Sequence, residues 1–223
     1  KQPRSEKMET KFEIVPVPTR ILTHHDDIVE AIVEYGGDKI GPDDVVCVAE
    51  SVVAITQGGA KRSEDFKPGL LAKVLCRLFP SKGSISGWHS MQALIDAEGG
   101  MRVLIAVICG FATKCVGVSG VFYRMAGEQA RLIDDVTGTM PPYDKHIVYG
   151  PHNPDRVAED ITSGTGAFGA AVADVNDLKR SCVLGVSKGV NADEVAQILI
   201  DNPFGNGSQK TPVVVIKNYR RAR

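Results

Sequence analysis

Several features common in other protein classes are scarce in this chain of 223 residues. Aromatic residues make up only 6% of it, with a single Trp. Its 26 Lys and Arg nearly balance its 27 Asp and Glu, so the net charge is −1. Nucleic-acid surfaces depend on clustered positive charge. The balance therefore argues against a nucleic-acid partner, and the basic run at residues 217–223 is expected to be solvated and frayed.

Cysteines and long apolar runs are also limited. The five cysteines lie far apart and include no CxxC pair. Neither a disulfide framework nor a structural zinc site is expected from such spacing. No apolar run approaches the roughly 20 residues that span a bilayer, and no segment with the pattern of a signal peptide opens the sequence. We therefore expect a cytoplasmic protein with no membrane contact.

Apolar runs and helical periodicity follow one another without regular alternation. Strands are predicted at residues 12–17, 45–49, 101–109, 170–173 and 212–217. Helices are predicted at residues 26–35, 68–79, 90–97, 154–163 and 191–200. Because the two kinds of element do not form a plain βαβ series, the fold class is predicted as α+β. The organisation expected is a flexible arm at 1–10, one domain at 11–218 and a basic tail at 219–223.

The segment from residue 110 to 151 has no clear period and is rich in Gly, Pro, Tyr and paired acids. Long irregular segments in compact domains are often functional. We predict that this segment lines the main pocket, with Tyr143 and His146 as its acid–base groups. Asp134 and Asp135 could join Asp174 in holding Mg²⁺ or Mn²⁺ through oxygen ligands. The alternative is that the paired acids are exposed loop residues.

Asp174 follows a run of small apolar residues at 170–173. A carboxylate at the end of a buried strand lies where ligands of α/β proteins collect, although Asp and Asn are also ordinary turn residues. Residues 164–169 match GxGxxG by letter, but a predicted helix precedes them and a predicted strand follows. That order is the reverse of a dinucleotide fingerprint, so Gly164 is interpreted as a helix C-terminal residue at positive φ.

Four segments together resemble a known family. They are residues 43–53 with Gly58, 153–159, 169–176 and 192–215, in this order along the chain. From about residue 14 to 218 the chain resembles the gamma-glutamyl ligases of deazaflavin (coenzyme F-420) biosynthesis. The resemblance implies an α+β mixed-sheet fold in an intertwined homodimer. It also implies joining of L-glutamate to a phospholactyl-deazaflavin precursor through an acyl-phosphate, with GTP and a divalent cation, Mg²⁺ or Mn²⁺.

Residue roles carried by the resemblance fall into two groups. Nucleotide binding falls on Thr19, Glu50 and Ser51. Metal binding falls on Asp174 and Ser119.

Some positions depart from the family pattern. Val175 stands where the family has a threonine, Ile55 where it has a lysine, and Ser119 where it has an aspartate. Loss of these groups weakens a site for a cation and a phosphate. Two alternatives therefore remain open: a divergent member that binds or transforms a different small molecule, and a dimeric scaffold without catalytic activity.

Overall fold

The computed structural model describes residues 12–80, 84–133, 141–205 and 209–222. The strands in this part of the chain are β1 (Ile14–Val17), β2 (Val45–Ala49), β3 (Ala60–Arg62), β4 (His146–Val148), β5 (Gly169–Asn176), β6 (Arg180–Val186) and β7 (Val213–Ile216). The helices are α1 (Ile28–Gly36), α2 (Glu50–Thr56), α3 (Leu70–Leu75), α4 (Trp88–Glu98), α5 (Gly100–Cys115), α6 (Val121–Met125), α7 (Gln129–Leu132), α8 (Pro154–Thr165) and α9 (Ala192–Ile198). The class is mixed α and β, as the sequence predicts.

The chain divides into two compact units, one of residues 1–56 with 153–223 and the other of residues 57–152. The first contains a five-stranded sheet of order β1-β7-β2-β5-β6. Only β2 and β5 pair in parallel, and the other neighbours are antiparallel. Strand β1 lies at an edge, as its alternating pattern and prolines predict.

Both faces of the five-stranded sheet are covered. Strand β2 is a continuous apolar run whose residues alternate between two buried clusters. Val46 and Val48 pack against residues of α1 and α8 on one face. Val45 and Cys47 pack against α9 and Tyr219 on the other. A strand that is apolar on both sides is stable only when both sides are buried, which explains the unbroken run.

The C-terminal residues are packed rather than frayed. Tyr219 is fully buried, and its hydroxyl donates to Glu194 Oε2 at 2.7 Å. Arg220 N–H donates to Asp43 O at 2.9 Å, and the Arg221 guanidinium pairs with the Asp43 carboxylate at 2.6 Å. The prediction of a frayed tail is therefore wrong for these residues, because the buried Tyr219 side chain anchors the segment in the core. The Arg220 and Arg221 side chains are exposed to solvent, as predicted.

The unit of residues 57–152 is mainly helical. Helices α3 to α7 and the antiparallel pair β3–β4 enclose a separate apolar cluster that includes Leu94, Val103, Phe122 and Ile147. The prediction of a strand at residues 101–109 is wrong, since these residues belong to the sixteen-residue helix α5. A continuous apolar run carries no period that separates a buried strand from a helix. Residues 110–133, predicted as irregular, continue α5 and form α6 and α7.

Other boundaries differ from the sequence prediction in smaller ways. The predicted helix at 68–79 begins after Gly69 and becomes a 3₁₀ turn at Cys76. Residues 50–56, for which no element was predicted, form α2. Gly164 lies inside α8, close to Val29 of α1, and the left-handed cap is Gly166 with φ 70°. Strand β6 was not predicted from the sequence.

Candidate functional site at the carboxyl edge of the five-stranded sheet

Strand register brings the predicted nucleotide- and metal-binding residues of the first unit to one edge of the sheet. In the parallel pair, Ala49 of β2 lies opposite Ala173 of β5. Glu50 and Asp174 directly follow Ala49 and Ala173 in the sequence. Both therefore lie just beyond the last pair of the parallel strands, at the same edge of the sheet. Carboxyl ends of parallel strands are where α/β proteins bind ligands.

The remaining strands extend this edge to Thr19. Val213, the first residue of β7, lies opposite both Val48 and Val17. Ala49 N–H donates to Pro212 O at 2.9 Å, and Thr19 N–H donates to Lys210 O at 2.8 Å. The segments before β7, after β1 and after β2 therefore meet at the edge that also carries Asp174.

Asp174 lies inside β5 rather than in a turn. The strand continues to Asn176, and Asp174 pairs with Cys182 of β6. Its other side has no strand neighbour, since β2 ends at Ala49. The Asp174 side chain is exposed, yet the protein around it removes enough water to raise the pKa of its carboxyl group above the ordinary value. A nearby cation would oppose this shift.

Alternation along β5 decides which side chains accompany Asp174. Ala173 and Val175 belong to the cluster on the α9 face of the sheet. Asp174 and Asn176 therefore point to the opposite face. The Val175 side chain therefore packs in that cluster, on the face opposite Asp174. Asn176 Oδ1 accepts from Leu178 N–H at 3.0 Å and closes the following turn.

The three predicted nucleotide-binding residues differ in environment. Thr19 is buried, and its hydroxyl donates to Arg20 O at 2.7 Å. Glu50 and Ser51 are half-buried in the first turn of α2. Ile55, at the position of the family's lysine, is 7% exposed and lies in the buried part of α2. The edge therefore offers the carboxylate of Glu50 and the hydroxyl groups of Thr19 and Ser51. Ile55 packs in the core at the position where the resemblance implies a phosphate-binding lysine.

Carboxylates are few around Asp174. In the described part of the chain, no three or more His, Cys, Asp or Glu residues are grouped so that they could hold a metal ion. Asp134 and Asp135, the predicted helpers of Asp174, lie outside the described residues, as do residues 206–208 of the loop before β7. Hard divalent cations are held mainly by the number and charge of oxygen ligands. Asp174 is therefore the centre of a sparse donor set.

Ser119 belongs to the other compact unit and lines a cavity there. The cavity has a volume of about 640 Å³ and is also lined by Tyr123, Arg124 and Arg131. Part of the segment 110–151 therefore lines a cavity, whereas the predicted polar groups of the pocket, Tyr143 and His146, are not among the lining residues. The two arginines were not singled out from the sequence. Arg124 lies on α6 and Arg131 on α7, so no single helical period in the sequence links them.

Tyr143 and His146 lie next to each other at the start of β4. Their ring centroids are 5.3 Å apart in an edge-to-face arrangement, and His146 N–H donates to Tyr143 O at 2.8 Å. His146 Nδ1 is buried and has no hydrogen-bond partner among the residues that the structure describes. Neither residue lines the cavity that contains Ser119, and their catalytic role stays a prediction.

A further ion pair, between Asp44 and Lys217, stabilises the fold. Asp44 is buried and accepts from Lys217 Nζ at 2.5 Å, from Asn218 N–H at 2.7 Å and from Gly41 N–H at 2.7 Å. Burial acts to raise the pKa of Asp44, but these hydrogen bonds and the lysine charge outweigh it, so the pKa is below the ordinary value. Asp44 immediately precedes β2 and fixes the strand at the opposite end from Glu50.

The edge with Glu50 and Asp174 lies at the carboxyl ends of a parallel strand pair, where α/β proteins commonly bind small molecules. The family model for F420-0:Gamma-glutamyl ligase matches residues 16–173. The chain therefore belongs to the gamma-glutamyl ligase family of coenzyme F-420 biosynthesis. Among curated proteins, the chain matches none. None of the described helices has the length and apolar character needed to cross a membrane.

Proposed function

We propose that this protein is a ligase that joins L-glutamate to a deazaflavin coenzyme precursor. Family membership supports the reaction class. The observation that carries the assignment of the site is the register of β2 and β5, which places Glu50 and Asp174 at one sheet edge. Thr19 and Ser51 join this edge from neighbouring segments, so the edge would bind the nucleotide, GTP.

The donor set at the edge fits a divalent cation that is shared with a nucleotide. Mg²⁺ is commonly held by one or two carboxylates together with substrate phosphates and water. Asp174 would supply the carboxylate, and Ser119 is a second proposed ligand from the resemblance. A bound Mg²⁺ or Mn²⁺ would neutralise phosphate charge during acyl transfer. With few protein carboxylates, cation binding should depend on the nucleotide.

The proposed acid–base pair is Tyr143 and His146. His146 is half-buried at the first position of β4, and the Tyr143 ring contacts it edge-on. Histidine is the side chain that most often serves as a general acid or base in enzymes. In the proposed reaction this group would take a proton from the glutamate amine as the amide forms.

The proposed assembly is a homodimer, in line with the resemblance. The partners proposed are a second copy of the chain and small-molecule substrates, with no nucleic acid and no membrane, in the cytoplasm. The near-zero net charge supports the absence of a polyanionic partner.

Product formation tests the proposal directly. Purified protein is incubated with GTP, MnCl₂, L-glutamate and the phospholactyl-deazaflavin acceptor, and the glutamylated product is measured by mass spectrometry. Asp174→Asn should reduce the rate by about 100-fold or more, since a lost transition-state interaction of about 3 kcal/mol has this effect. Asp38→Asn, an exposed carboxylate in the turn after α1, is the matched control and should keep the wild-type rate. No product from the wild type under these conditions would reject the ligase.

A second candidate is a divergent member that binds a different small molecule. The observation that favours it is the buried Ile55 of α2, which stands where the resemblance implies a phosphate-binding lysine. A thermal-shift screen separates the two candidates, because a ligand that binds only the folded state raises the melting temperature. The ligase predicts a shift with GTP plus Mn²⁺. The divergent candidate predicts no shift with GTP or ATP, with or without Mg²⁺ or Mn²⁺.

A further inference from the structure

Strand β6 places a positive charge on the same face of the sheet as Asp174. In the antiparallel pair, Asp174 lies opposite Cys182, and Asn176 lies opposite Arg180. Residues two apart on one strand point to the same face, so Arg180 points to the side of the sheet that carries Asp174. These four residues, on the side of the sheet opposite α9, are called the β5–β6 face.

The spacing on the β5–β6 face suits a bound phosphate. Asp174 and Arg180 are diagonal neighbours on adjacent strands, a relation with a separation of about 7–8 Å that long side chains can bridge. Mg²⁺ lies about 2.1 Å from its oxygen ligands, and a guanidinium nitrogen lies about 2.8 Å from a phosphate oxygen. A row of carboxylate, cation, phosphate and guanidinium is therefore of the right length to join the two side chains.

Contacts on the turn between the strands fix the backbone of Arg180. Asp177 Oδ1 accepts from Asn202 Nδ2 at 2.7 Å, and Lys179 pairs with Asp201. Asn202 is buried, so the turn is attached to a fixed point in the fold. Arg180 directly follows Lys179, and it is paired within β6. A backbone that is already positioned reduces the entropic cost of binding a ligand.

The Arg180 side chain is available to an external ligand. It is exposed, and it forms no ion pair within the part of the chain that the structure describes. Loss of water raises the pKa of Asp174, whereas a guanidinium paired with this carboxylate would lower it. Asp174 and Arg180 therefore share one face without neutralising each other.

Charges of both signs on one face favour a ligand that carries both. A divalent cation alone is attracted by Asp174 but repelled by Arg180, and a phosphate alone meets the reverse. A nucleotide polyphosphate that carries a divalent cation satisfies both groups. Arginine suits this role, since its planar fork binds phosphate oxygens through two parallel hydrogen bonds. On α2, at the same edge, the buried Ile55 supplies no charge.

We propose that Arg180 binds the phosphates of the nucleotide whose cation is held by Asp174, with the β5–β6 face beneath the phosphate chain. The inference rests on the proposed function, and it deepens it by naming the residue that recognises the phosphates. The contrasting role is protection of an edge. Strand β6 is the outermost strand of its sheet, and charges on such strands deter pairing with other chains. Edge protection needs no ligand, so nucleotide binding separates the two roles.

Calorimetry of the full chain with GTP and with guanosine, both with MnCl₂, tests the proposal. Arg180→Gln should weaken GTP binding about 10- to 100-fold, the effect of losing hydrogen bonds to a charged group. Guanosine, which has no phosphate, should bind both proteins equally. Arg180→Lys keeps the charge but not the fork, so its loss should be smaller. Arg77→Gln removes an exposed charge from the other compact unit. It is the matched control and should bind GTP as the wild type does.

Alkylation of Cys182 by iodoacetamide locates the nucleotide independently of any substitution. Cys182 is exposed and lies directly opposite Asp174. With MnCl₂ and GTP at about ten times the dissociation constant, the alkylation rate should fall about tenfold, as the ligand-free fraction does. Peptide mass spectrometry measures this rate. Guanosine at the same concentration should leave it unchanged.

Folding of each variant is checked by circular dichroism and melting temperature, and the Cys182 rate in the wild type decides if Arg180→Gln does not fold. Unchanged GTP affinity in folded Arg180→Gln would overturn the proposal and leave Arg180 as a protector of the sheet edge. So would an equal loss in Arg77→Gln, a Cys182 rate that GTP does not change, or a wild type that binds no GTP. Arg180-dependent GTP binding without glutamylated product would reject only the proposed ligase.

Discussion

At the scale of single residues, Asp174 and Asp44 show how environment decides what a carboxylate does. Asp174 lies at an exposed strand position and has its pKa raised by loss of water. Asp44 is buried and has its pKa lowered, because Lys217 and two backbone N–H groups outweigh the cost of burial. Only the first is available to a ligand, since the second already has its oxygens occupied.

We expect Asp174 to be the main cation-binding residue, with weak affinity. A site built on one carboxylate should bind Mn²⁺ no tighter than about millimolar without nucleotide, comparable to the weakest calcium modules. Asp174→Asn should abolish this binding in calorimetry, whereas Asp38→Asn should leave it unchanged. Micromolar binding by the wild type would show that other carboxylates complete the site, Asp134 and Asp135 first among them.

The pH dependence of Mn²⁺ binding follows from the same raised pKa. Protons compete with the cation for the Asp174 carboxylate, so affinity should fall as the pH drops through the raised pKa. The loss should therefore begin at a higher pH than for an ordinary aspartate, whose pKa is about 3.9. Calorimetric titrations between pH 7 and 4 measure it. Affinity that stays constant down to pH 4 would contradict the raised pKa.

Removing the Asp44 carboxylate should destabilise the fold. Asp44→Ala leaves the N–H groups of Gly41 and Asn218 without their acceptor, whereas Lys217 loses its ion pair but keeps its hydrogen bond to Lys39 O. The expected loss is about 2–3 kcal/mol in the free energy of unfolding, below the figure for a fully buried pair because Lys217 is a quarter exposed. Because the pKa of Asp44 is lowered, its contribution is complete above the ordinary carboxyl pKa. It is lost as the pH falls through the lowered pKa.

Urea unfolding of the wild type and Asp44→Ala at pH 7 and at pH 3 measures both effects. The difference between the two proteins should be smaller at the acid pH. An equal difference at both pH values would show that the packing of Asp44, rather than its charge, stabilises the fold.

At the scale of elements, α8 approaches β6 so closely that only glycine fits between them. A Cβ on Gly185 would lie 2.3 Å from the Pro154 carbonyl carbon and 2.4 Å from Asp155 N. Hydrogen bonds hold the same contact: Asp155 Oδ1 accepts from Val186 N–H and Glu159 Oε1 from Lys188 N–H, each at 2.8 Å. Asp155 and Glu159 therefore attach α8 to β6 and to the residues that follow it. Their negative charges also interact favourably with the positive, N-terminal end of the helix dipole.

Gly185→Ala should therefore be strongly destabilising. Backbone atoms cannot yield as a flexible side chain can, so the helix must shift, at a cost of about 1–3 kcal/mol or more. Gly37→Ala is the matched control, because a Cβ there meets nothing within 4 Å. Chemical denaturation of the two variants measures the difference. Equal stability would mean that α8 can move away from the sheet without loss.

At the scale of the whole molecule, the proposed dimer has a thermodynamic consequence. When folded monomers associate, the melting temperature rises with protein concentration by mass action. Between about 1 and 100 μM we expect an increase of a few degrees, since each kcal/mol shifts the melting temperature by about 2–4 °C at this size. Scanning calorimetry of the wild type across this concentration range measures it. A melting temperature independent of concentration in the wild type would contradict the dimer.

Local sequence patterns determined much of the secondary structure. The apolar runs of β2 and β7, the capped start of α1 at Asp27 and the Asn191 cap of α9 depend on residues close together in the chain. Asp27, predicted to lie in the first turn of the helix at 26–35, is its N-cap and accepts from the Val29 and Glu30 N–H groups. The family itself was identifiable from the order and spacing of short segments.

Only the tertiary structure determined that the apolar residues 101–109 form a helix rather than a strand. It also determined which residues come together at the candidate site. An apolar run fits either a strand or a helix until its neighbours are known, and α5 packs against α4 and α6 rather than in a sheet. Glu50 and Asp174 lie at the same edge of the sheet because of the register between β2 and β5. These strands are more than 100 residues apart in sequence. Register is a property of paired chains, since each strand alone carries no information on which residue lies opposite.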